Sequence, residues 1–301
     1  MDADEPHSLG PSGHHRLAHA PGGVRPRPGS AEGSRHRRGR GGIPPQFPHP
    51  LHRIQQAGRS ARGMADRMVT VLRFMISALR SLAFYVAFYV GSVLFVLGSI
   101  LSMRVSRPTF RVVVSGWSGW HRLCCRYLLG IRVNLENPVF KPNVLYAIRH
   151  ESFFEAIDLP WLFQLPVVFA KAELLRIPGW GAAGRNYGLI GVEREAGAKA
   201  LRIMLTEARR LIAEGRPLVI FPEGTRVPHG ERRKLQAGFA GIYKLLGLPV
   251  IPVAVDSGPL YHRRWKLSGT IRYRFGEEIP PGLPRDEVET RVEAAINALN
   301  R

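Results

Sequence analysis

His150 and Glu155 are the first residues whose types and spacing could do chemistry. His150 follows an apolar run at 144–148 and precedes a helical pattern from about 153, so we expect it at a strand-to-helix junction. Imidazole titrates near neutral pH and suits a general base, which a nearby carboxylate could orient and stabilise as imidazolium. The structural alternative is a junction histidine bonded to the backbone, with the acid favouring a helix N-terminus.

A second constellation is Phe-Pro-Glu-Gly-Thr-Arg at 221–226, directly after a very apolar run. The proline ends a central strand, which presents Glu223 at the strand end, and Gly224 permits a tight turn or a close approach to a ligand. Thr225 and Arg226 offer a hydroxyl and a planar fork that match phosphate oxygens. The alternative is a turn with an exposed ion pair.

Other candidates are weaker taken singly. Arg194 follows the short apolar run 189–192 and is a second candidate phosphate ligand, although such arginines are usually solvated. The run 250–255 predicts a buried strand, in which Pro252 favours an edge position or a bulge. The sequence contains no Gly-x-Ser-x-Gly elbow, phosphate-binding Gly-Lys-Ser/Thr loop or His-Glu-x-x-His cluster, and we predict no metal site.

Strands and helices alternate from about residue 130 onward, which predicts an α/β fold with a largely parallel central sheet flanked by helices. In such sheets, sites gather where strands end and loops begin. The predicted strands are 131–135, 144–148, 167–170, 189–192, 218–221, 250–255 and 270–275, and the predicted helices are about 153–163, 196–213, 236–246 and 286–299.

The segments before this alternation differ in character. Residues 1–63 are rich in Gly, Pro, Arg and His and predict a disordered basic tail. Residues 64–108 predict a membrane-attaching helical segment, since 81–103 carry no charge and about 20 apolar residues span a bilayer. Arginines flank both ends, which favours attachment to one face of the membrane, as a hairpin turning at Gly91-Ser92 or a helix in one leaflet, over a single span. Residues 109–301 are the predicted catalytic domain, opening with an amphipathic helix at 109–129.

The net charge of +20 requires an anionic partner, whether nucleic acid, an anionic bilayer or a phosphorylated substrate. A nucleic-acid function would rest only on the charge and the tail, and we expect no specific nucleic acid. The two cysteines, Cys124 and Cys125, are adjacent and poorly placed to bridge, so no disulfide framework is predicted.

Four blocks in order resemble the glycerolipid acyltransferase family, specifically its 1-acylglycerol-3-phosphate acyltransferases, over roughly residues 65–300. The stretch 221–226 matches the family's Phe-Pro-Glu-Gly-Thr-Arg signature in full, and His150 with Glu155 matches its His-x-x-x-x-acid motif. The stretch 171–194 matches its acceptor-binding block, and 251–258 its fourth block. Two departures are Glu155, where Asp is commoner, and Arg149, where Asn or Lys usually precedes the histidine; the second is interpreted as minor.

The resemblance implies acyl transfer from acyl-CoA or acyl-carrier protein, as co-substrate rather than cofactor, to the sn-2 hydroxyl of lysophosphatidic acid, giving phosphatidic acid. It implies that His150 deprotonates the hydroxyl and Glu155 orients the histidine, with no covalent acyl-enzyme. The residues expected to hold the glycerol phosphate are Lys171, Arg194, Glu223, Gly224, Thr225 and Arg226.

The chain is expected at a bacterial inner membrane, in contact with membrane lipid. The location of the acyl donor and the flanking arginines predict that its catalytic domain lies on the cytoplasmic side. Other acceptors of the same family, glycerol-3-phosphate or a lyso-ornithine lipid, remain open. A non-catalytic membrane scaffold is the alternative from another class, and the intact His150 and 221–226 motifs argue against it.

Overall fold

The computed structural model describes residues 50–192 and 197–300, and the side chains of residues 64–192 and 201–300. The α-helices are α1 Pro50–Val105, α2 Arg107–Cys124, α3 Phe153–Leu162, α4 Trp180–Tyr187, α5 Gly197–Ile212, α6 Ala237–Leu246, α7 Gly258–Tyr261 and α8 Arg285–Ile296. The strands are β1 Ile131–Glu136, β2 Leu145–Ile148, β3 Val167–Lys171, β4 Leu189–Val192, β5 Leu218–Ile220, β6 Val250–Val255 and β7 Gly269–Phe275. A π-helical turn, Cys125–Leu129, follows α2, and a 3₁₀ turn, Ala172–Arg176, follows β3.

The strands form one seven-stranded sheet in the order β1-β7-β6-β2-β5-β3-β4. Every pair of neighbours is parallel except β6 and β7, which pair antiparallel, so β1 and β7 run against the other five strands. The predicted α/β fold with a largely parallel sheet is therefore confirmed, with a reversed pair at one edge.

Helices cover both faces of this sheet, as the continuous apolar runs of its strands require. Along β2, Tyr146 packs towards the core that contains Phe84 of α1 and Phe154 of α3. Its neighbour Leu145 packs towards the other core, which contains Phe239 of α6. The alternation follows the two-residue period of a strand, and it explains why β2, β5 and β6 are buried at every position.

Pro252 lies in β6, which is an interior strand, so the predicted edge position is wrong. Its carbonyl accepts a hydrogen bond from Gly276 N at 2.8 Å, just beyond the end of β7 at Phe275. The register Val253↔Phe275 places Pro252 opposite Gly276, and the proline has no N–H to return the reciprocal bond. The β6–β7 ladder ends at this pair, so the proline costs one bond at the end of the ladder and none in its middle.

The first two helices form a hairpin that turns at Ser106, and the predicted reversal at Gly91-Ser92 is wrong. Ser106 caps α2 by accepting a bond from Thr109 N at 3.2 Å, while α1 continues unbroken through Gly91. A Cβ at Gly91 would stand 2.1 Å from Trp120 Nε1, so this glycine permits the two helices to approach. Trp120 Nε1 donates to Ala87 O at 3.2 Å and closes the contact.

Helix α1 begins inside the segment predicted to be a tail. The first residue of α1 is Pro50. Proline is favoured at this position because the first N–H groups of a helix have no partner within the helix, and proline has no N–H. The sequence from 51 to 63 contains no further proline, so nothing there interrupts the helix. The remaining 49 residues of the predicted tail lie outside the described residues.

One helix among the described residues is long and apolar enough to cross a membrane, the stretch Met64–Val105 of α1, by length and composition. One side of this helix packs against the domain: Phe84 and Phe88 are buried, and Tyr85 Oη donates to Arg264 O at 2.7 Å. Its other side exposes a row of large apolar side chains, which indicates membrane association. That row includes Leu72, Leu79, Leu82, Val86, Val90, Leu94, Leu97 and Leu101.

Candidate active site

The junction between β2 and α3 positions the histidine and the carboxylate. Ser152 caps α3 in a capping box: its hydroxyl accepts from Phe154 N at 3.0 Å, and the Glu155 carboxylate accepts from Ser152 N at 3.1 Å. This box turns Glu155 back towards the preceding loop. His150 Nδ1 consequently lies 3.5 Å from Glu155 Oε2, although five residues separate the two in sequence.

His150 presents one side of its ring to a cavity and the other to protein. Its ring stacks on Phe221 with centroids 4.1 Å apart and an interplanar angle of 23°. Nδ1 is buried and makes no hydrogen bond to the described residues, since 3.5 Å to Glu155 is longer than a normal bond. The side chain is 14% exposed and lines the cavity, so Nε2 is the nitrogen available to a ligand.

Glu155 is completely buried and held by two serines. Ser257, just after β6, donates its hydroxyl proton to Glu155 Oε1, and Ser152 Oγ lies 2.7 Å from Ser257 Oγ. Ser152 Oγ also lies 3.3 Å from Glu155 Oε2, so its single proton is donated either to that carboxylate oxygen or to Ser257. The two serines therefore fix the carboxylate on the Nδ1 side of His150.

The 221–226 turn supplies the opposite wall of the site. Gly224 has φ +67°, a left-handed conformation that favours glycine, and its nitrogen donates to Phe221 O at 2.9 Å. Arg226 leaves this turn with an exposed guanidinium, whose carbon lies 4.0 Å from the ring centroid of Phe153. The stacking directs a cation towards the site. Among the side chains that the structure describes, no carboxylate forms an ion pair with Arg226.

Glu223 does not line the cavity, although the sequence assigns it to substrate binding. It is fully buried, its Oε1 is 2.5 Å from Arg149, and its Oε2 accepts from His150 N at 3.1 Å. Burial raises the pKa of the Glu223 carboxyl, and the adjacent Arg149 guanidinium partly offsets this. The position of Glu223 assigns it to the support of the site rather than to ligand contact.

These walls enclose a cavity of about 990 Å³, at the upper end of the range usual for ligand pockets, roughly 300–1,000 Å³. Of the predicted site residues, His150, Lys171, Gly224, Thr225 and Arg226 line it, whereas Arg194 lies outside the described residues. The remaining lining is mostly apolar and comes from helices α1 to α6, including Phe95, Val114, Trp117, Ile157, Trp180, Leu201 and Ile242.

Sequence reasoning missed two supports of the site. Ser152 was detectable, because Ser-x-x-Glu before a helix is a capping-box pattern. Arg149 was treated as a minor departure, yet it is fully buried and pairs with Glu223. Glu151, two residues further on, is also buried, and its Oε1 lies 2.9 Å from His229 Nδ1. Burial raises the pKa of the Glu151 carboxyl, and the hydrogen bonds from Gly258 N and His229 partly offset this rise.

Residues 130–256 match the family model described as Acyltransferase, and this stretch contains the histidine, the carboxylate and the 221–226 turn. A histidine backed by a buried carboxylate at the wall of an apolar cavity is consistent with that chemistry. The fold, the site and the match together define an α/β acyltransferase, and the predicted enzyme class is confirmed.

Comparison with individual proteins makes the family assignment more specific. The chain is 31% identical over 232 residues to the 1-acyl-sn-glycerol-3-phosphate acyltransferase of Pseudomonas aeruginosa, covering 74% of this chain and 87% of that protein. It is 26% identical over 192 residues to the human 1-acyl-sn-glycerol-3-phosphate acyltransferase beta, covering 60% and 68%. The chain belongs to the 1-acyl-sn-glycerol-3-phosphate acyltransferase family.

A solved structure shares the fold. The crystal structure of the 1-acyl-sn-glycerophosphate (LPA) acyltransferase PlsC from Thermotoga maritima matches with a TM-score of 0.54 at 23% identity. The match covers 76% of this chain and 97% of that one. At this identity the likeness concerns architecture, and it agrees with the sheet and flanking helices described above.

Proposed function

We propose that the chain transfers a fatty acyl group from a thioester donor to the sn-2 hydroxyl of lysophosphatidic acid, producing phosphatidic acid for phospholipid synthesis. The observation that carries this proposal is His150 on the wall of the apolar cavity, with Glu155 buried behind its Nδ1. The relatives' names supply the acceptor, and the cations at the cavity wall suit its phosphate.

Nε2 of His150 takes the proton of the sn-2 hydroxyl as the hydroxyl oxygen forms a bond to the thioester carbonyl carbon. The tetrahedral intermediate then expels the thiolate, which receives the proton from the imidazolium and leaves as a free thiol. Glu155 accepts a hydrogen bond from Nδ1–H when the ring shortens their 3.5 Å separation, which orients the base and stabilises its charged form.

The acceptor phosphate lies against the polar part of the cavity wall. Arg226 offers a planar pair of donors, Thr225 a hydroxyl and Lys171 an ammonium, and all three line the cavity. Arg194 remains a predicted fourth ligand from the segment after β4. Holding both reactants in one site contributes roughly 7–11 kcal/mol to lowering the barrier when the geometry is good.

The apolar part of the cavity accommodates a fatty acyl chain. It extends between the helical hairpin of α1 and α2 and the sheet, so a chain bound there passes close to the membrane-facing surface. The donor is acyl-CoA or acyl-carrier protein, and either would deliver its thioester to the mouth of this cavity. No acyl-enzyme is required, because the activated hydroxyl attacks the thioester itself.

The chain is attached to one leaflet of a bacterial inner membrane, with the catalytic domain on the cytoplasmic side. Phe84 and Phe88 are buried against the domain at the middle of α1, which favours a helix lying along the domain over one crossing freely. The loop 262–265 next to α1 exposes Arg263 and Arg264 beside Trp265, a combination suited to anionic headgroups. Protease accessibility in right-side-out and inverted membrane vesicles tests the orientation.

Acyl transfer in detergent micelles tests the reaction. Oleoyl-CoA and oleoyl-acyl-carrier protein would be offered separately with lysophosphatidic acid, glycerol-3-phosphate or a lyso-ornithine lipid. We expect transfer to lysophosphatidic acid by the wild type and its collapse, by about 10²–10⁴-fold, in His150→Ala, the range usual for loss of a general base.

His262→Ala is the matched control, because His262 is exposed and does not line the cavity. It should retain wild-type rates. Transfer only to another acceptor would keep the mechanism and reject the proposed substrate. A His150→Ala variant as active as the control would reject the histidine as base.

A further inference from the structure

We propose that Arg149 is a positioning residue that sets the main chain of His150 relative to the 221–226 turn. Arg149 reaches neither the cavity nor the acceptor, and it acts through Glu223. The inference rests on the proposed function only for its kinetic consequence, since the positioning itself is measurable without turnover.

Arg149 is fully buried, and its guanidinium is almost completely used. Nη1 donates to Glu223 Oε1 at 2.5 Å and to Asn297 Oδ1 at 2.9 Å. Nη2 donates to Pro228 O at 3.3 Å and to Glu231 O at 2.7 Å. Four of the five donors of a guanidinium are therefore satisfied, and Nε lies 3.6 Å from Glu151 Oε1.

The carboxylate of Glu223, which Arg149 holds, also bonds the main chain of His150. Glu223 Oε2 accepts from His150 N at 3.1 Å, and His150 O accepts from Val227 N at 2.8 Å. The main chain of His150 is thus held on both its polar groups by the segment 223–227. Arg149 holds the Glu223 carboxylate by a hydrogen bond and opposes the rise that burial causes in its pKa, so it supports the first of these two bonds.

The end of helix α8 completes the assembly. Asn297 accepts from Arg149, and Asn300 Nδ2 donates to Glu231 O at 2.7 Å and to Asn297 Oδ1 at 3.0 Å. The loop after the 221–226 turn is therefore joined to the residues that follow α8, through Arg149 and Asn297 and directly by Asn300. A lysine, with three donors on one nitrogen, could not reach Glu223, Asn297 and two carbonyls together.

Replacing Arg149 by methionine leaves Glu223 as an uncompensated buried carboxylate, which is strongly unfavourable. We expect kcat for lysophosphatidic acid to fall about 10²-fold, the cost of a misplacement of about 1 Å, while KM changes less than about threefold. Because Arg149 lowers the pKa of Glu223, the acid limb of the kcat profile should move to higher pH in Arg149→Met.

The double variant Arg149→Met/Glu223→Gln separates positioning from general destabilisation. It removes both buried charges, so kcat should recover about tenfold from the single variant, as expected for directly coupled residues. The displaced acid limb should also disappear. Equal kcat in the single and double variants would contradict a role exerted through Glu223.

Arg216→Met is the matched control. Arg216 is also a buried arginine that donates to backbone carbonyls, those of Leu165, Pro166 and Tyr187. It lies before the amino end of β5, whereas His150 follows the carboxyl end of the parallel strand β2, so the two are at opposite ends of the strands. We expect a similar fall in melting temperature, with kcat within about threefold of wild type. A kcat loss in Arg149→Met no larger than in this control would overturn the proposal.

Amide hydrogen exchange tests the positioning role of Arg149 without requiring enzymatic turnover. The peptide segments covering 149–152 and 223–231 should exchange at least tenfold faster in Arg149→Met, and unchanged in Arg216→Met. If the wild type transferred acyl groups to no acceptor, the proposed function would fail while this measurement still judged Arg149. Unchanged exchange at these segments would reject the positioning role.

Discussion

Glu155→Gln tests the central pair of the site without removing the helix cap. Glutamine at this position of a capping box still accepts from the Ser152 backbone, so α3 should begin where it does now. Only the negative charge facing His150 Nδ1 is lost. The variant therefore isolates electrostatics from folding better than alanine, which would also remove the cap at a cost of about 1 kcal/mol.

The expected magnitude follows from the separation. Two unit charges at the observed 3.5 Å attract by roughly 5 kcal/mol at an effective dielectric constant of about 20. The serine hydroxyls already satisfy part of the carboxylate, so we expect somewhat less, about 4 kcal/mol, to appear in the barrier. This corresponds to a fall in kcat of about 10³-fold.

The assay is steady-state transfer to lysophosphatidic acid at saturating donor, with melting temperatures measured in the same detergent. Glu155→Gln should lose kcat with KM and melting temperature nearly unchanged, and Glu155→Ala should lose both activity and stability. Retention of more than a third of wild-type kcat by Glu155→Gln would refute the assignment of the carboxylate as the partner of His150.

Three further predictions concern the surroundings of the pair. Arg226→Gln should raise KM for lysophosphatidic acid about tenfold, the loss of one charge-assisted contact, while transfer to a neutral monoacylglycerol acceptor measured in parallel stays constant. Ser257→Ala removes the donor to Glu155 and should lower kcat about fivefold to tenfold at unchanged KM, a typical cost for one hydrogen bond; a change in KM alone would contradict this. Burial lowers the pKa of His121 from 6.5 to about 3 in the folded protein. Between these two pH values His121 is protonated in the unfolded chain and neutral in the folded one, so the free energy of unfolding falls as the pH drops from about 6.5 towards 3. Denaturant unfolding should show a loss of about 2 kcal/mol between pH 7 and 5, which His121→Met should largely remove.

The positions of the elements were largely predictable because their patterns are strong. All seven strands were found within one or two residues, since five are short apolar runs and β1 and β7 alternate apolar with polar residues. The short α4 and the 3₁₀ turn before it were missed, because Trp180–Tyr187 contains three glycine or asparagine residues and lacks an apolar period. A turn at Gly91 was one of the alternatives for this segment, but α1 continues through this glycine, which packs against Trp120.

The sequence predicts which residues form the candidate site, but it does not predict where each side chain points. The motif identifies His150 and Glu155, and their spacing at a helix start is sufficient to bring them together through the capping box. The second motif places Glu223 only three positions before Arg226, yet one side chain is buried in the protein and the other lines the cavity. Residues this close in a turn have no fixed relation of side-chain direction, so only the folded turn settles which of them faces the cavity.

The sequence by itself determined the class of protein, the candidate base His150 and the existence of a long apolar helix, because these depend on residue types and local periodicity. Tertiary structure alone decided that Arg149 is buried against Glu223 and Asn297, which come from segments 74 and 148 residues away. It also decided which face of α1 is seated on the domain and which remains exposed. Both depend on long-range packing, in which a buried charge needs partners that distant segments supply, and no local pattern encodes that choice.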